Sequence, residues 1–237
     1  MTNRRKLGTL IAVIIAVGLL SVPAARGSAS SRLILDNFDE KKATEITSHT
    51  PDEAPVGSAW AVELGTWEVK KGKAREKSRA PVTPSSDYRA YIDSGTANVS
   101  AEVKLKIDPR GDQFWGVVVR YSGTHDWIMA FHDGVGDLVL GKKRPDENLI
   151  GDTVEPSDSS AGGFQELGRV PMKWNTGKKA SSHTITLQTD GDAITVIADG
   201  EPVIWANDND SMTSGTVGIF SRGKGKNQFD KFTVDQN

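Results

Sequence analysis

The chain has 237 residues, with 29 lysines and arginines against 31 aspartates and glutamates, and it contains no cysteine. Residues 1–27 hold four of the basic groups and none of the acidic ones, so the remainder is acidic by about six charges, which argues against nucleic acid or an anionic membrane as partner. Without cysteine, thiol catalysis, zinc–thiolate sites and disulfide staples are excluded, and a hydrophobic core, helped at most by a bound metal, must hold the fold.

In chain order, Arg4, Arg5 and Lys6 precede an apolar run from Leu7 to Val22, followed by Pro23 and a small-residue segment through Ala29. This is the order of a secretory signal peptide, residues 1–27, and the run is shorter than the roughly 20 residues that span a bilayer. Cleavage near Gly27 to Ala29 is expected, with an uncleaved membrane anchor as the alternative. Either outcome places the rest outside the cytoplasm, and no membrane insertion is expected after cleavage. Residues 28–32 read as a short linker, and 33–237 as one domain.

From there the apolar residues repeat with period two. Val99, Ala101, Val103, Leu105 and Ile107 alternate with Ser100, Glu102, Lys104 and Lys106, a set that no helix buries on one side. Further strands are expected at 33–38, 60–64, 66–69, 88–92, 114–121, 127–132, 138–143, 184–189, 193–198, 203–206, 215–221 and 229–234. Asp190-Gly191-Asp192 and Asp199-Gly200 read as hairpin turns, because Gly and Asp tolerate positive φ. About a dozen closely spaced strands predict an all-β sandwich or barrel. Residues 40–57 and 146–163, rich in Asp, Glu, Ser, Pro and Gly, read as long surface loops.

Three segments carry a resemblance. Leu33-Ile34-Leu35-Asp36-Asn37-Phe38-Asp39 with Gly65-Thr66-Trp67-Glu68-Val69-Lys70-Lys71-Gly72-Lys73-Ala74 resembles the opening of secreted laminin-G-like domains. Trp115-Gly116-Val117-Val118-Val119-Arg120-Tyr121 with Asp126-Trp127 resembles their central strand pair. Gly215-Thr216-Val217-Gly218-Ile219-Phe220-Ser221 with Phe229-Asp230-Lys231-Phe232-Thr233-Val234 resembles their closing strands. The resemblance is to the concanavalin A-like superfamily, and it implies a two-sheet antiparallel jelly-roll β-sandwich with one concave sheet. Members serve as lectin-like and carbohydrate-binding modules, adhesion domains and glycoside hydrolases, so fold narrows function without deciding it.

The resemblance also implies a structural calcium where the first and last strands meet, with Asp36 and Asp230 as the positions carried over; such an ion takes six to eight oxygen ligands. Asn207-Asp208-Asn209-Asp210 lacks the Gly and distal Glu of an EF-hand loop and reads as a turn. Sugar recognition combines flat aromatic surface with a few orienting polar groups. Trp115, Tyr121, Trp127, Arg120 and His132 fall on adjacent strands where the concave sheet is expected. Alternation places Trp115 and Tyr121 with Val117 and Val119, and Arg120 on the opposite, exposed face. Trp60, Trp67 and Trp205 read as core. The four histidines are too scattered for zinc, and Gly223-Lys224-Gly225-Lys226 lacks the remainder of a phosphate-binding loop.

Glucanases of this superfamily present their carboxylates as E-x-D-x-E or E-x-D-x-x-E. No E-x-D occurs anywhere in the chain, nor does G-x-S-x-G or H-E-x-x-H. The expectation is a secreted non-catalytic module that binds extracellular or cell-wall polysaccharide through Arg120, Trp127, His132 and Trp115. A glycoside hydrolase or an adhesive domain with a protein partner are the alternatives.

Overall fold

A computed structural model describes residues 31–55, 57–78, 88–107, 114–123, 126–134, 136–144, 163–172, 174, 180–209, 214–222 and 228–237. The expected signal peptide at 1–27, most of the segment 146–163 read as a loop, and Gly223 to Lys226 lie outside the described residues. Among the described residues, no helix is long and apolar enough to cross a membrane.

The strands are β1 (Arg32–Asp36), β2 (Thr44–Glu45), β3 (Ala61–Leu64), β4 (Trp67–Val69), β5 (Ala74–Glu76), β6 (Tyr88–Asp93), β7 (Val99–Ile107), β8 (Phe114–Gly123), β9 (Asp126–His132), β10 (Asp137–Arg144), β11 (Gly163–Pro171), β12 (Ser181–Asp190), β13 (Ala193–Ala198), β14 (Glu201–Asn207), β15 (Thr216–Arg222) and β16 (Gln228–Gln236). They form two antiparallel sheets. A nine-stranded sheet runs β14-β13-β12-β7-β16-β5-β4-β2, with β1 also on β16, and a seven-stranded sheet runs β11-β10-β9-β8-β15-β6-β3. This is the expected jelly-roll sandwich.

The alternation of β7 sets the pattern for the core. Val99, Ala101, Val103, Leu105 and Ile107 are all buried between the sheets, each valine or leucine contributing about 1.5–3 kcal/mol of transfer energy. Trp60, Trp67, Trp115, Val117, Val119, Ile128, Ala130, Leu138, Leu140, Phe229 and Phe232 meet them from the other strands. The Asp199-Gly200 hairpin has the expected positive φ at both residues, 50° and 89°.

The segment 40–57 departs from the surface-loop reading. It contributes β2 and a short 3-10 turn at Ile46–Ser48, pairs Glu53 with Leu35, and buries Ile46 and His49. Its packing follows from Asp36, which is fully buried at the end of β1 and accepts from Phe38 N–H (2.7 Å), Trp60 Nε1–H (2.7 Å) and His49 Nε2 (2.9 Å). His49 Nδ1 reaches Glu40 at 3.1 Å. Burial alone lowers the affinity of this imidazole for a proton, but its hydrogen bonds to Asp36 and Glu40 outweigh that and raise its pKa.

Trp205 also departs from its expected place: it is 66% exposed on β14. A bulge opposite Val196 and Ile197 leaves Val203 without a partner in the register, so that Val203 and Ile204 both pack toward the core and Trp205 turns outward.

Candidate functional site

The seven-stranded sheet is apolar on both faces. Opposite the core, its outer face carries a second cluster of Val118, Tyr121, Trp127, Met129, Phe131, Val139, Phe164 and Phe220, edged by the partly exposed Tyr91 and Phe114. Strand parity explains the set: on β9, Ile128 and Ala130 enter the core, so Trp127, Met129 and Phe131 face out.

Trp127 is the centre of this face. The Arg89 guanidinium lies 4.3 Å from its ring centroid and the Lys143 ammonium 5.3 Å, both within cation–π range. The register brings these groups together, because Lys143 on β10 sits opposite Trp127 on β9. Arg89 Nε donates to Glu63 at 2.7 Å, and the Tyr121 hydroxyl donates to the same carboxylate oxygen at 2.5 Å. Burial, and then the bond to Glu63, raise the Tyr121 pKa, so the phenol stays protonated and donates. Tyr91 packs on Tyr121 with centroids 4.8 Å apart, and Arg222 covers Phe114 at 4.9 Å. Trp127 and Lys143 are almost wholly enclosed, while Glu63, Tyr91, Phe114 and Arg222 form the partly accessible rim. Aromatic surface with a carboxylate and cations at its edge offers stacking area together with directional hydrogen bonding.

Of the expected ligand residues, only Trp127 belongs to this face. Trp115 and His132 are brought together, but on the core side, where their rings stack at 4.4 Å with 7° between planes. The stack continues through Trp174, 5.7 Å from His132, to His183 on β12 at 4.5 Å, linking one sheet to the other. Burial holds His132 down to about pKa 4, and its Nδ1 accepts from Gly134 N–H at 3.0 Å.

Arg120 is not the exposed platform residue that alternation implied. It adopts φ 53° in the irregular stretch after Val119, and its buried side chain donates to Ala97 O (3.2 Å), Asn98 Oδ1 (3.3 Å) and Gly191 O (2.6 Å), tying the two sheets together. The same irregularity exchanges the faces of Arg120 and Tyr121, which is why Tyr121 joins Trp127 instead of Trp115.

β1 and β16 do lie side by side, with Asp36 opposite Phe232. Asp36 turns inward to Trp60 and His49, however, whereas Asp230 pairs with Lys73 at 2.9 Å beside a register shift. Among the described residues, no group of three or more His, Asp or Glu side chains is placed to hold a metal ion.

Glu63, Arg89, Tyr91 and Lys143 were not anticipated. Arg89 and Tyr91 were accessible to parity, since they alternate with Tyr88, Ala90 and Ile92, all core residues. Glu63 and Lys143 depend on cross-strand register, which has no signal in the local sequence.

No protein-family model matches the sequence, and no curated protein is similar to it in sequence. Solved structures do resemble it. A laminarinase from Rhodothermus marinus is 10% identical over 88% of this chain and 98% of that one, with a TM-score of 0.55. A β-glucanase from Bacillus licheniformis is 12% identical over 90% and 100%, with a TM-score of 0.53. The carbohydrate binding module CBM66 from Bacillus subtilis is 14% identical over 75% and 92%, with a TM-score of 0.42. The two sheets define an antiparallel jelly-roll β-sandwich, a fold shared with the laminarinase and the β-glucanase.

Proposed function

We propose that this protein is a non-catalytic glycan-binding module that holds a saccharide chain against the outer face of its seven-stranded sheet. The observation that carries the reading is the Glu63, Arg89, Tyr91, Tyr121 and Trp127 cluster, in which aromatic rings and fixed hydrogen-bonding groups share one face. Its partly exposed aromatic, Tyr91, makes the contact, and the enclosed Trp127, Tyr121 and Glu63 carboxylate hold it in position.

Support for the non-catalytic part comes from the central strands. Hydrolysis needs two carboxyl groups about 5–9.5 Å apart across the scissile bond. The outward positions of β8, β9 and β15 include Phe114, Gly116, Val118, Trp127, Met129, Phe131, Gly218, Phe220 and Arg222, and none is an acid. Of the acids toward the edges of this sheet, Glu63 on β3 accepts from Arg89 and Tyr121, and Asp137 and Glu166 on β10 and β11 are held by Arg169.

Affinity electrophoresis and calorimetry against soluble β-glucans, xylans and pectins test the proposal. Tyr91→Ala and Glu63→Gln should each weaken binding about 10-fold or more, the loss of roughly 1.4 kcal/mol or more. Wild-type protein retained by no polysaccharide overturns the reading, and release of reducing ends overturns its non-catalytic part.

A further inference from the structure

The outer face of the nine-stranded sheet carries a second feature, unrelated to the Trp127 cluster. Trp205 is one of two exposed large apolar side chains among the described residues, the other being Leu64 at 42%. A free edge-strand tryptophan adds nothing to the core, which takes Ile204 from the same strand.

The register shows what lies beside it. Trp205 on β14 is opposite Thr195 on β13, Thr195 opposite Gln188 on β12, Gln188 opposite Ser100 on β7, Ser100 opposite Asp235 on β16, and Asp235 opposite Arg32 on β1. All six share the outward face, because Val99, Ala101, Leu187, Ile194, Val196, Ile204 and Val234 occupy the inward positions of those strands. The row crosses six strands and is about 24 Å long at the usual strand spacing. Thr195, Gln188, Ser100 and Asp235 are all part-exposed, and Gln188 Nε2 donates to Ser100 Oγ at 3.2 Å.

From this row we infer a second glycan site: a linear, neutral polysaccharide chain lies across the strands, with one pyranose ring stacked on Trp205 and later units hydrogen-bonded to Thr195, Gln188 and Ser100. Three arguments favour that occupant. The aromatic face and the neutral hydroxyl and amide groups match the apolar faces and hydroxyl edges of a sugar. The strand spacing of about 4.8 Å is close to the length of one pyranose unit, so each strand presents one polar group per unit. The row's only charged members, Asp235 and Arg32, neutralise each other at 2.5 Å, leaving no net charge to select an ionic ligand.

The inference rests on the glycan-binding reading but uses the opposite side of the sandwich, so the two separate experimentally. Retention on microcrystalline cellulose, chitin and insoluble β-1,3-glucan is measured for wild type, Trp205→Ala, Trp205→Phe, Gln188→Ala and Tyr91→Ala, with tryptophan emission followed on addition of soluble oligosaccharide. Trp205→Ala should lose at least 10-fold in retention, Gln188→Ala severalfold, and Trp205→Phe little. Unchanged retention in Trp205→Ala with loss in Tyr91→Ala overturns this inference and leaves the Trp127 face as the site. No retention of wild type on any polymer overturns both. A wild-type dimer that Trp205→Ala converts to monomer, without effect on retention, assigns Trp205 to a second copy of the chain and overturns the glycan site.

Discussion

Replacing Asp36 with alanine removes the acceptor on which the start of the fold converges. The carboxylate is fully buried and takes hydrogen bonds from Phe38 N–H, Trp60 Nε1–H and His49 Nε2 at 2.7–2.9 Å. Each buried donor left without an acceptor costs about 1–3 kcal/mol, and breaking a buried charged pair about 3–5 kcal/mol. These costs overlap because one side chain supplies all three bonds, so the expected loss is about 4 kcal/mol, a large part of a typical domain stability of about 5–15 kcal/mol. Urea unfolding followed by tryptophan fluorescence measures it, with Asp36→Asn, which keeps one acceptor oxygen, falling in between. The pH dependence supplies a second reading. The folded-state pKa of His49 is raised above its unfolded value near 6.5, so its contribution is complete below that value and lost as pH rises through the folded pKa. The gap between wild type and Asp36→Ala should therefore be widest below about pH 6.5 and narrow in alkali. A variant within about 0.5 kcal/mol of wild type at every pH refutes the network.

Two further outcomes follow from buried side chains. Arg120→Ala should cost more than Arg120→Gly by about 1–2 kcal/mol in the same unfolding assay, since both lose the bonds to Ala97, Asn98 and Gly191 but only glycine accepts φ 53° without strain. His132 has its pKa depressed to about 4, so its contribution is full above the unfolded value near 6.5 and is lost as pH falls toward 4; His132→Phe keeps the ring stack on Trp115 and should flatten that acid limb in pH-dependent melting.

The fold was legible because period-two alternation is written into single strands. Val99–Ile107 and Ala193–Ala198 have the expected bounds, and the Gly-containing turns between strands follow from local backbone preference. The misplacements of Arg120, Tyr121 and Trp205 have one cause: each follows a bulge or break in register, and one extra residue exchanges the faces of everything after it. The 40–57 segment failed for another reason. Its polar composition describes a loop, yet the buried Asp36 carboxylate draws in His49, thirteen residues on, and His49 in turn reaches Glu40, a pairing that composition does not carry. The Trp127 face was half legible, since parity isolates the aromatic and Arg89, while only the paired strands bring Lys143 and Glu63 beside them.

The two outer faces of this sandwich obey different rules, and the contrast bears on where function lies. The nine-stranded sheet is conventional: Ser100, Glu102, Lys104 and Lys106 face out while valines and leucines face in, as expected of an antiparallel sheet with one solvated side. The seven-stranded sheet places Val118, Met129, Phe131, Val139 and Phe220 outward, although the core on its other side is complete without them. Apolar side chains on an outer face add nothing to the inter-sheet core; here they bury one another in a second cluster. Adding Arg89, Lys143 and Arg222 there, in a protein whose overall charge is negative, increases the desolvation cost. A sequence that keeps local rules elsewhere and breaks them on one face places its demands beyond folding on that face. By the same reasoning Trp205, a lone aromatic in an otherwise polar row, is, among the described residues, the large apolar side chain that the conventional face leaves exposed.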